Sequence, residues 1–395
     1  MKITGIIAEY NPFHNGHAYQ IKAAKERGSD CAVAVCGGLF SQRGELSVCT
    51  KTAKAKAAAA GGADLVIELP LCYTLSPAPD FAAGGVKIID ALGCADFLTF
   101  GCEEETPDRL FDVLKALETI ENTDAVKNAL KNGCSLPSSR QQALFEINPE
   151  FADIISKPNN ILALEYISAL KKIGSSVTPV AVPRKGALHG SGEIFENICS
   201  ATKLREIMRN DIQSAAQFMP KGSFDIISNE AERGRAPLDI SRIENAMLFS
   251  LRKLGPDDIS QINGVCEGME NLICEGIKKQ ASIEEIVEYC SGKRYTKSRI
   301  RRILMCSVLG ITKELAHVFP PYIRVLGFNE IGREALKIIK KTASVPVVTK
   351  ASEIPKISDN AKAVFAVESL AADLVSLAFD PPGKCGLEFT ENFFS

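Results

Sequence analysis

Histidine is scarce in this chain, with four among 395 residues. Also missing are an apolar run of the roughly 20 residues that span a bilayer, any CxxC pair, a marked excess of either charge, and any internal repeat or low-complexity tract. Each absence narrows the function. No segment is expected to cross a membrane, and the first residues lack a basic-then-apolar leader, so a cytoplasmic protein with no membrane contact is expected. The 13 cysteines are scattered and odd in number, and Cys266 and Cys274 are too far apart to form a knuckle. Neither a zinc site nor a disulfide framework is expected; the cysteines read as small apolar residues in a reducing compartment. A net charge of −2 gives no global sign of a nucleic-acid partner, which leaves only local signs. No protein partner is evident. What remains is ordinary for a globular protein, 46% apolar and 24% charged, and long enough for two domains and a small third unit.

The N-terminal half repeats one rhythm of apolar run, loop and helix. Strands are expected at 2–8, 31–38, 63–70, 94–101 and 176–183, with helices over His17–Arg27, Lys51–Ala60, Asp80–Leu92, Arg109–Leu130 and Asn160–Ile173. Short continuous apolar runs alternating with helices indicate an α/β fold, a Rossmann-like doubly wound parallel sheet covered on both faces. Ligands bind beyond the carboxyl ends of such strands, so the loops after them are where chemistry is sought.

The first of these loops holds half of the histidine. In "AEYNPFHNGH" (8–17), Pro12 cannot continue the strand, Gly16 permits close backbone approach, and helical periodicity resumes in "AYQIKAA". His17 therefore sits near a helix N-terminus, where free amides and the dipole favour an anion. At i and i+3, His14 and His17 can point the same way, toward one phosphate.

HxGH at the first strand-to-helix turn resembles the nucleotidyltransferase superfamily, which includes class I aminoacyl-tRNA synthetases and small-molecule adenylyltransferases. The longer "GIIAEYNPFHNGH" (5–17) resembles the bacterial tRNA(Met) cytidine acetate ligase family. "FSQRGE" (40–45), "GADLVIELP" (62–70), "FGCE" (100–103), "KPNNILALEY" (157–166), "SATKLR" (200–205) and "KRYTKSRIRR" (293–302) agree with it in order. The chain departs from the family pattern at Gly37, Gly38, Leu39, Leu46, Lys54 and Cys102.

The resemblance implies a ligase that joins acetate to ATP as acetyl-adenylate. It then moves acetyl to the exocyclic amine of the wobble cytidine of elongator tRNA(Met). The implied ATP turn runs Ile7, Ala8, Glu9, Tyr10, Asn11, Pro12, Phe13, His14, Asn15, Gly16, His17, Ala18, Tyr19 and Gln20. His14 and His17 stabilise charge at the α-phosphate. Glu9 either orients a histidine, takes a proton from the amine, or caps the turn. Gly101 leaves room for adenine or ribose, and Asn159 or Asn160 bonds the nucleotide. Arg184 serves ribose or phosphate, and Ser200, Thr202 and Arg205 form a second phosphate clamp. Lys51 either binds pyrophosphate or lies on a solvated face, and His189 either reaches the site from its loop or does not. No acidic metal-binding pair stands out, so Mg²⁺ is expected to ride on the nucleotide phosphates.

Residues 216–318 read as a mainly helical domain after an ATP-binding domain of 1–215, and 319–395 as a small strand–helix–strand unit with an extended tail. "KRYTKSRIRR" carries six basic side chains and no acid. Thr296 caps a helix, and Lys293, Arg294, Tyr295, Lys297, Arg299, Arg301 and Arg302 suit an RNA backbone and one stacked base. Two other readings stay open: a small-molecule adenylyltransferase, which gives no use for the helical half, and a non-catalytic RNA-binding protein on the same fold.

Overall fold

The computed structural model describes residues 1–104, 107–121, 123–132, 134, 136–184 and 197–391; His189 lies outside them. Five apolar runs form the strands β1 (Ile3–Ala8), β2 (Cys31–Gly37), β3 (Leu65–Leu69), β4 (Phe97–Cys102) and β5 (Thr178–Pro183). Every residue of β2 and β3 is buried, which is why these runs show no polar alternation. The five pair in parallel in the order β5-β4-β1-β2-β3. Side chains of β2 separate by pleat into two cores, Val33 and Val35 on one face, Ala32, Ala34 and Cys36 on the other.

Helices cover both faces. α1 (Asn15–Glu26) and α2 (Lys51–Ala60) pack on the second core, through Ile21 and through Ala53, Ala57 and Ala58. α3 (Ala78–Ala91) and α4 (Pro158–Ile173) pack on the first. α5 (Ala201–Asn210) returns to the second core through Leu204 and Met208. The order of the strands reverses at β1, whose neighbours are β2 and β4, so a crevice opens beyond the ends of β1 and β4.

One local expectation changes. The single helix expected over Arg109–Leu130 is two helices, Pro107–Ile120 and Asp124–Lys131, with Thr123 in extended conformation at the cap of the second. Two more, Leu136–Ile147 and Pro149–Ile154, follow before α4.

The second half is helical, as its spacing predicts, and includes α6 (Glu244–Leu251), α7 (Ile283–Cys290) and α8 (Lys297–Leu309), the last capped by Thr296. The strand–helix–strand pattern past residue 319 is present too. Its first strand, β6 (Ile323–Phe328), pairs antiparallel with β3 and so extends the N-terminal sheet, with β7 (Val347–Val348) beside it. A long helix, α9 (Asp359–Ser376), and a short one, α10 (Leu387–Thr390), complete the chain. The end is therefore not simply an extended tail: Glu391 accepts hydrogen bonds from Thr52 and Arg235.

Lys51 lies on neither of its expected surfaces. It is buried at the start of α2 against Glu68, Glu368 and Glu388, and Arg324 pairs with Glu388 and Glu68 in the same cluster. Burial lowers the affinity of Lys51 for its proton, but the three carboxylates outweigh it and hold the ammonium charged. Burial and the Glu68 charge push Glu368 up to about 8. Glu368 thus keeps its proton near pH 7, while for Glu68 burial is outweighed by Lys51 and Arg324, which hold it below the usual carboxylate range.

Among the described residues all 13 cysteines are free, most of them buried, and no helix is long and apolar enough to cross a membrane.

Candidate active site

The loop after β1 turns sharply. Tyr10 takes a positive φ of 46°, and Asn11 accepts the Val48 amide on its Oδ1 at 2.8 Å, which ties the turn to the loop after β2. His14 is the N-cap of α1. Its Nδ1 accepts the Gly16 amide at 3.1 Å, while His17 Nδ1 accepts the His14 amide at 3.2 Å. The two imidazoles thus form the reciprocal capping box normally built from Ser and Glu. Their rings stack with centroids 3.7 Å apart.

This geometry sets the chemistry of both rings. Since each Nδ1 accepts, the hydrogen-bond network assigns each proton to Nε2. Burial first, and the Arg184 charge second, hold His14 at about 3; burial, His14 and Arg184 hold His17 well below its ordinary value. Both are neutral donors near pH 7, set at a helix N-terminus. Gly16 is needed for space: a Cβ there would come within 2.9 Å of the His14 ring.

The rings open onto a cavity of about 230 Å³ beyond β1 and β4. Arg184, at the end of β5, lines it and donates to Asn159 Oδ1 at 2.6 Å. Asn159 in turn donates to Glu103, whose other oxygen accepts the Asn160 amide at 3.1 Å. From the opposite edge of the HNGH turn, Arg205 reaches in from α5, donating to the Asn11 carbonyl at 3.0 Å and to Glu45 at 2.8 Å. Burial lowers its pKa. Glu9 lines the cavity, and its carboxylate accepts the Gln42 amide. Backbone amides, not Glu9, hold the two imidazole Nδ1 atoms. Glu9 is the one carboxylate on the wall among the described residues.

Of the residues singled out from sequence, Ile7, Ala8, Glu9, Tyr10, Asn11, His14, Gly16, His17, Tyr19, Gln20, Gly101, Asn159, Arg184 and Arg205 line this cavity together. Others serve its frame. Phe13 is packed beneath, so close to Gly61 that a Cβ there would lie 2.1 Å from its ring. Asn15 donates to the carbonyls of Asn197 and Gln217, at 2.8 and 3.0 Å. Pro12 and Ala18 do not reach the wall. Asn160 is fully buried and spent internally: its Oδ1 accepts the Glu103 amide at 2.9 Å and its Nδ2 donates to the Ile154 carbonyl at 3.1 Å. Neither asparagine caps α4; Lys157 holds that position. Ser200 caps α5, and Thr202 accepts from Arg205 at 3.4 Å, away from the cavity.

The wall also includes Phe100, Leu162, Tyr166, Val182, Pro183, Ile198 and Ala201, which were not singled out. Leu162 and Tyr166 follow Asn159 at helical spacing, and Val182 and Pro183 precede Arg184 at a strand end; both signals were present in the sequence. Ile198 carries none.

The basic string around α8 is partly committed within the protein. Lys297 pairs with Glu288, and Arg301 with Glu284 at 2.7 Å, so α7 and α8 are laced by two ion pairs. Arg299 donates to the Gly264 carbonyl at 2.8 Å, and its guanidinium and that of Arg294 lie over the Tyr295 ring. Arg302 is drawn in to the Gln42 carbonyl at 3.2 Å. Lys293 and Arg294 are exposed.

The chain is similar to known proteins along nearly its whole length. Residues 1–385 match the HIGH Nucleotidyl Transferase family model. The tRNA(Met) cytidine acetate ligase of Thermoanaerobacter sp. (strain X514) is 38% identical over 98% of both chains. That of Acetivibrio thermocellus is 37% identical over 99% of each. The crystal structure of Thermotoga maritima TmcAL bound with alpha-thio ATP superposes with a TM-score of 0.90, at 32% identity, over 100% of this chain and 99% of that one. The chain is a member of the tRNA(Met) cytidine acetate ligase family within the HIGH nucleotidyl transferases.

Proposed function

We propose that this protein activates acetate with ATP and transfers the acetyl group to the exocyclic amine of the wobble cytidine of elongator tRNA(Met), making N4-acetylcytidine. The observation that carries the reading is the stacked pair of neutral imidazoles, Nε2 protons free, capping a helix at the crevice beyond β1. A polyphosphate fits these donors, Arg184 and Arg205, at the positive end of the α1 dipole.

In the first step an acetate oxygen attacks the α-phosphorus in line, and the bond to the β-phosphate breaks, releasing pyrophosphate. His14 and His17 meet the charge that grows on the α-phosphate oxygens. In the second step the amine nitrogen attacks the acyl carbon. The acyl–oxygen bond breaks, AMP leaves with the electron pair, and the nitrogen sheds one proton. Activation is required because a carboxylate is a poor acyl donor and the cytidine amine is weakly basic. Glu9 alone, already bonded to Gln42, does not make a metal cage, so Mg²⁺ arrives on the nucleotide phosphates. The exposed Lys293 and Arg294, with Tyr295 between Arg294 and Arg299, contribute to the RNA-facing surface.

The test is ATP–pyrophosphate exchange with and without acetate, followed by transfer of labelled acetyl to elongator tRNA(Met). Exchange that requires acetate, then acetyl on the tRNA, is expected. Exchange with a mononucleotide acceptor and no acetate would favour a small-molecule adenylyltransferase instead, and no ATP turnover a binding protein.

A further inference from the structure

A second cavity, about 400 Å³ and larger than the first, lies between the loop after β2, α5, α6 and α8. Its size falls in the range of small-ligand sites, about 300–1,000 Å³. Arg205 lines both cavities. Its guanidinium donates to the Asn11 carbonyl, Glu45 and Thr202 at the boundary that the two cavities share. Whatever fills the second cavity is one side chain away from the nucleotide turn.

We propose that this second cavity receives a single unpaired pyrimidine nucleoside of the RNA acceptor, presenting its base edge toward the first cavity. The inference rests on the function proposed above and deepens it. Three features favour this occupant. The floor is apolar and adaptable, with Leu46, Met247, Leu304 and Met305 offering the flat, polarisable contact that a base accepts. The polar wall is balanced, Arg205, Arg209 and Arg301 against Glu45, Glu244 and Glu284. Arg205 pairs with Glu45 and Arg301 with Glu284, and Glu244 accepts the Ile283 amide at 2.9 Å, so the wall carries little net charge and suits a neutral base rather than a free phosphate. Glutamate is the natural acceptor for the exocyclic amine of such a base.

The third feature is where the basic string ends up. Gly44, with φ of +76°, passes so close to α8 that a Cβ would lie 2.8 Å from the Arg301 carbonyl carbon and the Arg302 amide. The loop and the start of α8 thus make one rigid wall, with Arg301 on the cavity and the exposed Lys293 and Arg294 preceding the helix. Phosphates flanking a nucleoside in the cavity would meet those exposed cations: backbone contacts position, and the cavity reads.

The experiment plugs the cavity without touching the nucleotide site. Ile240→Trp, on its partly exposed edge, and Met247→Trp, in its floor, are compared with the unsubstituted chain in two assays. Acetate-dependent ATP–pyrophosphate exchange should stay within twofold, which also reports correct folding. Acetyl transfer to tRNA should fall at least tenfold in kcat/KM. In parallel, an anticodon stem-loop carrying 5-bromouridine at the wobble position is photocross-linked to the unsubstituted full chain. Cross-links within residues 44–46, 202–209, 238–247, 283–284 or 301–305, the cavity's lining, are expected. Intact exchange with undiminished transfer in Ile240→Trp, or cross-links confined elsewhere, overturns the assignment while leaving the proposed function standing. If the unsubstituted chain shows no acetate-dependent exchange, the function itself fails and the cavity assignment falls with it.

Discussion

Replacing His14 by asparagine separates the two duties of that residue. His14 caps α1 through Nδ1, and the proposed catalytic contact is made by Nε2 on the far side of the ring. Asparagine is among the best N-caps, and its Oδ1 replaces Nδ1 as acceptor for the Gly16 amide, whereas alanine would forfeit about 0.5–2 kcal/mol of cap. Asparagine has no atom at the position of Nε2. The lost contact is a hydrogen bond to a charged phosphate, which contributes about 1.5–3 kcal/mol. At roughly 1.4 kcal/mol per decade, His14→Asn should lower acetate-dependent pyrophosphate exchange by about 10- to 150-fold. Its stability in urea should meanwhile change by less than about 1 kcal/mol. The two readings are taken on one preparation, by isotope exchange and by denaturant melts. Full exchange activity in a stably folded His14→Asn would refute the reasoning, because His14 would then be a cap and nothing more.

Three further outcomes follow from the same structure. In Gly16→Ala the new methyl crowds the His14 ring at 2.9 Å, so exchange should drop about tenfold or more with little change in melting temperature; an unchanged rate would mean that the ring position is unimportant. Because His14 is held at about 3 in the folded chain and titrates near 6.5 when unfolded, the unfolded state takes up its proton first as pH falls. The stability from this group is complete above about 6.5 and shrinks toward pH 3, so His14→Asn should lessen the loss between pH 7.5 and 5.5 by about 1.4 kcal/mol in urea melts. In the buried cluster, Lys51→Met leaves carboxylates uncompensated and should cost about 3–5 kcal/mol, while Glu368→Gln mimics the protonated acid and should be nearly neutral; equal costs would contradict the proton assignment.

Much of the nucleotide half was legible because its signals are local. Parallel strands buried on both faces leave continuous apolar runs, and a ligand turn after the first of them leaves its two histidines and glycine side by side. The unread parts depend on partners far away in the chain. Lys51 follows a helix cap and looks like a surface lysine; only Glu68, Glu368 and Glu388, the last two more than 300 residues away, make it a buried one. No short window tells that β6 joins β3, since antiparallel addition to an edge leaves the same apolar run as any other strand. Asn159 and Asn160 are adjacent and chemically identical, and helical rotation alone turns one to the cavity and the other to the core. The basic string shows no acid of its own, yet the acids that tie up Lys297 and Arg301 sit on a different helix.

β6 carries a consequence for how the molecule comes into being. It completes the edge beside β3, and the far-end glutamates neutralise a lysine at the root of the second crossover. A ribosome must therefore deliver nearly the entire polypeptide before the ATP crevice has its finished scaffold. A nonsense codon late in the message should yield an aggregation-prone fragment instead of a stripped-down adenylating enzyme, and the front half should resist grafting onto another protein as a portable part.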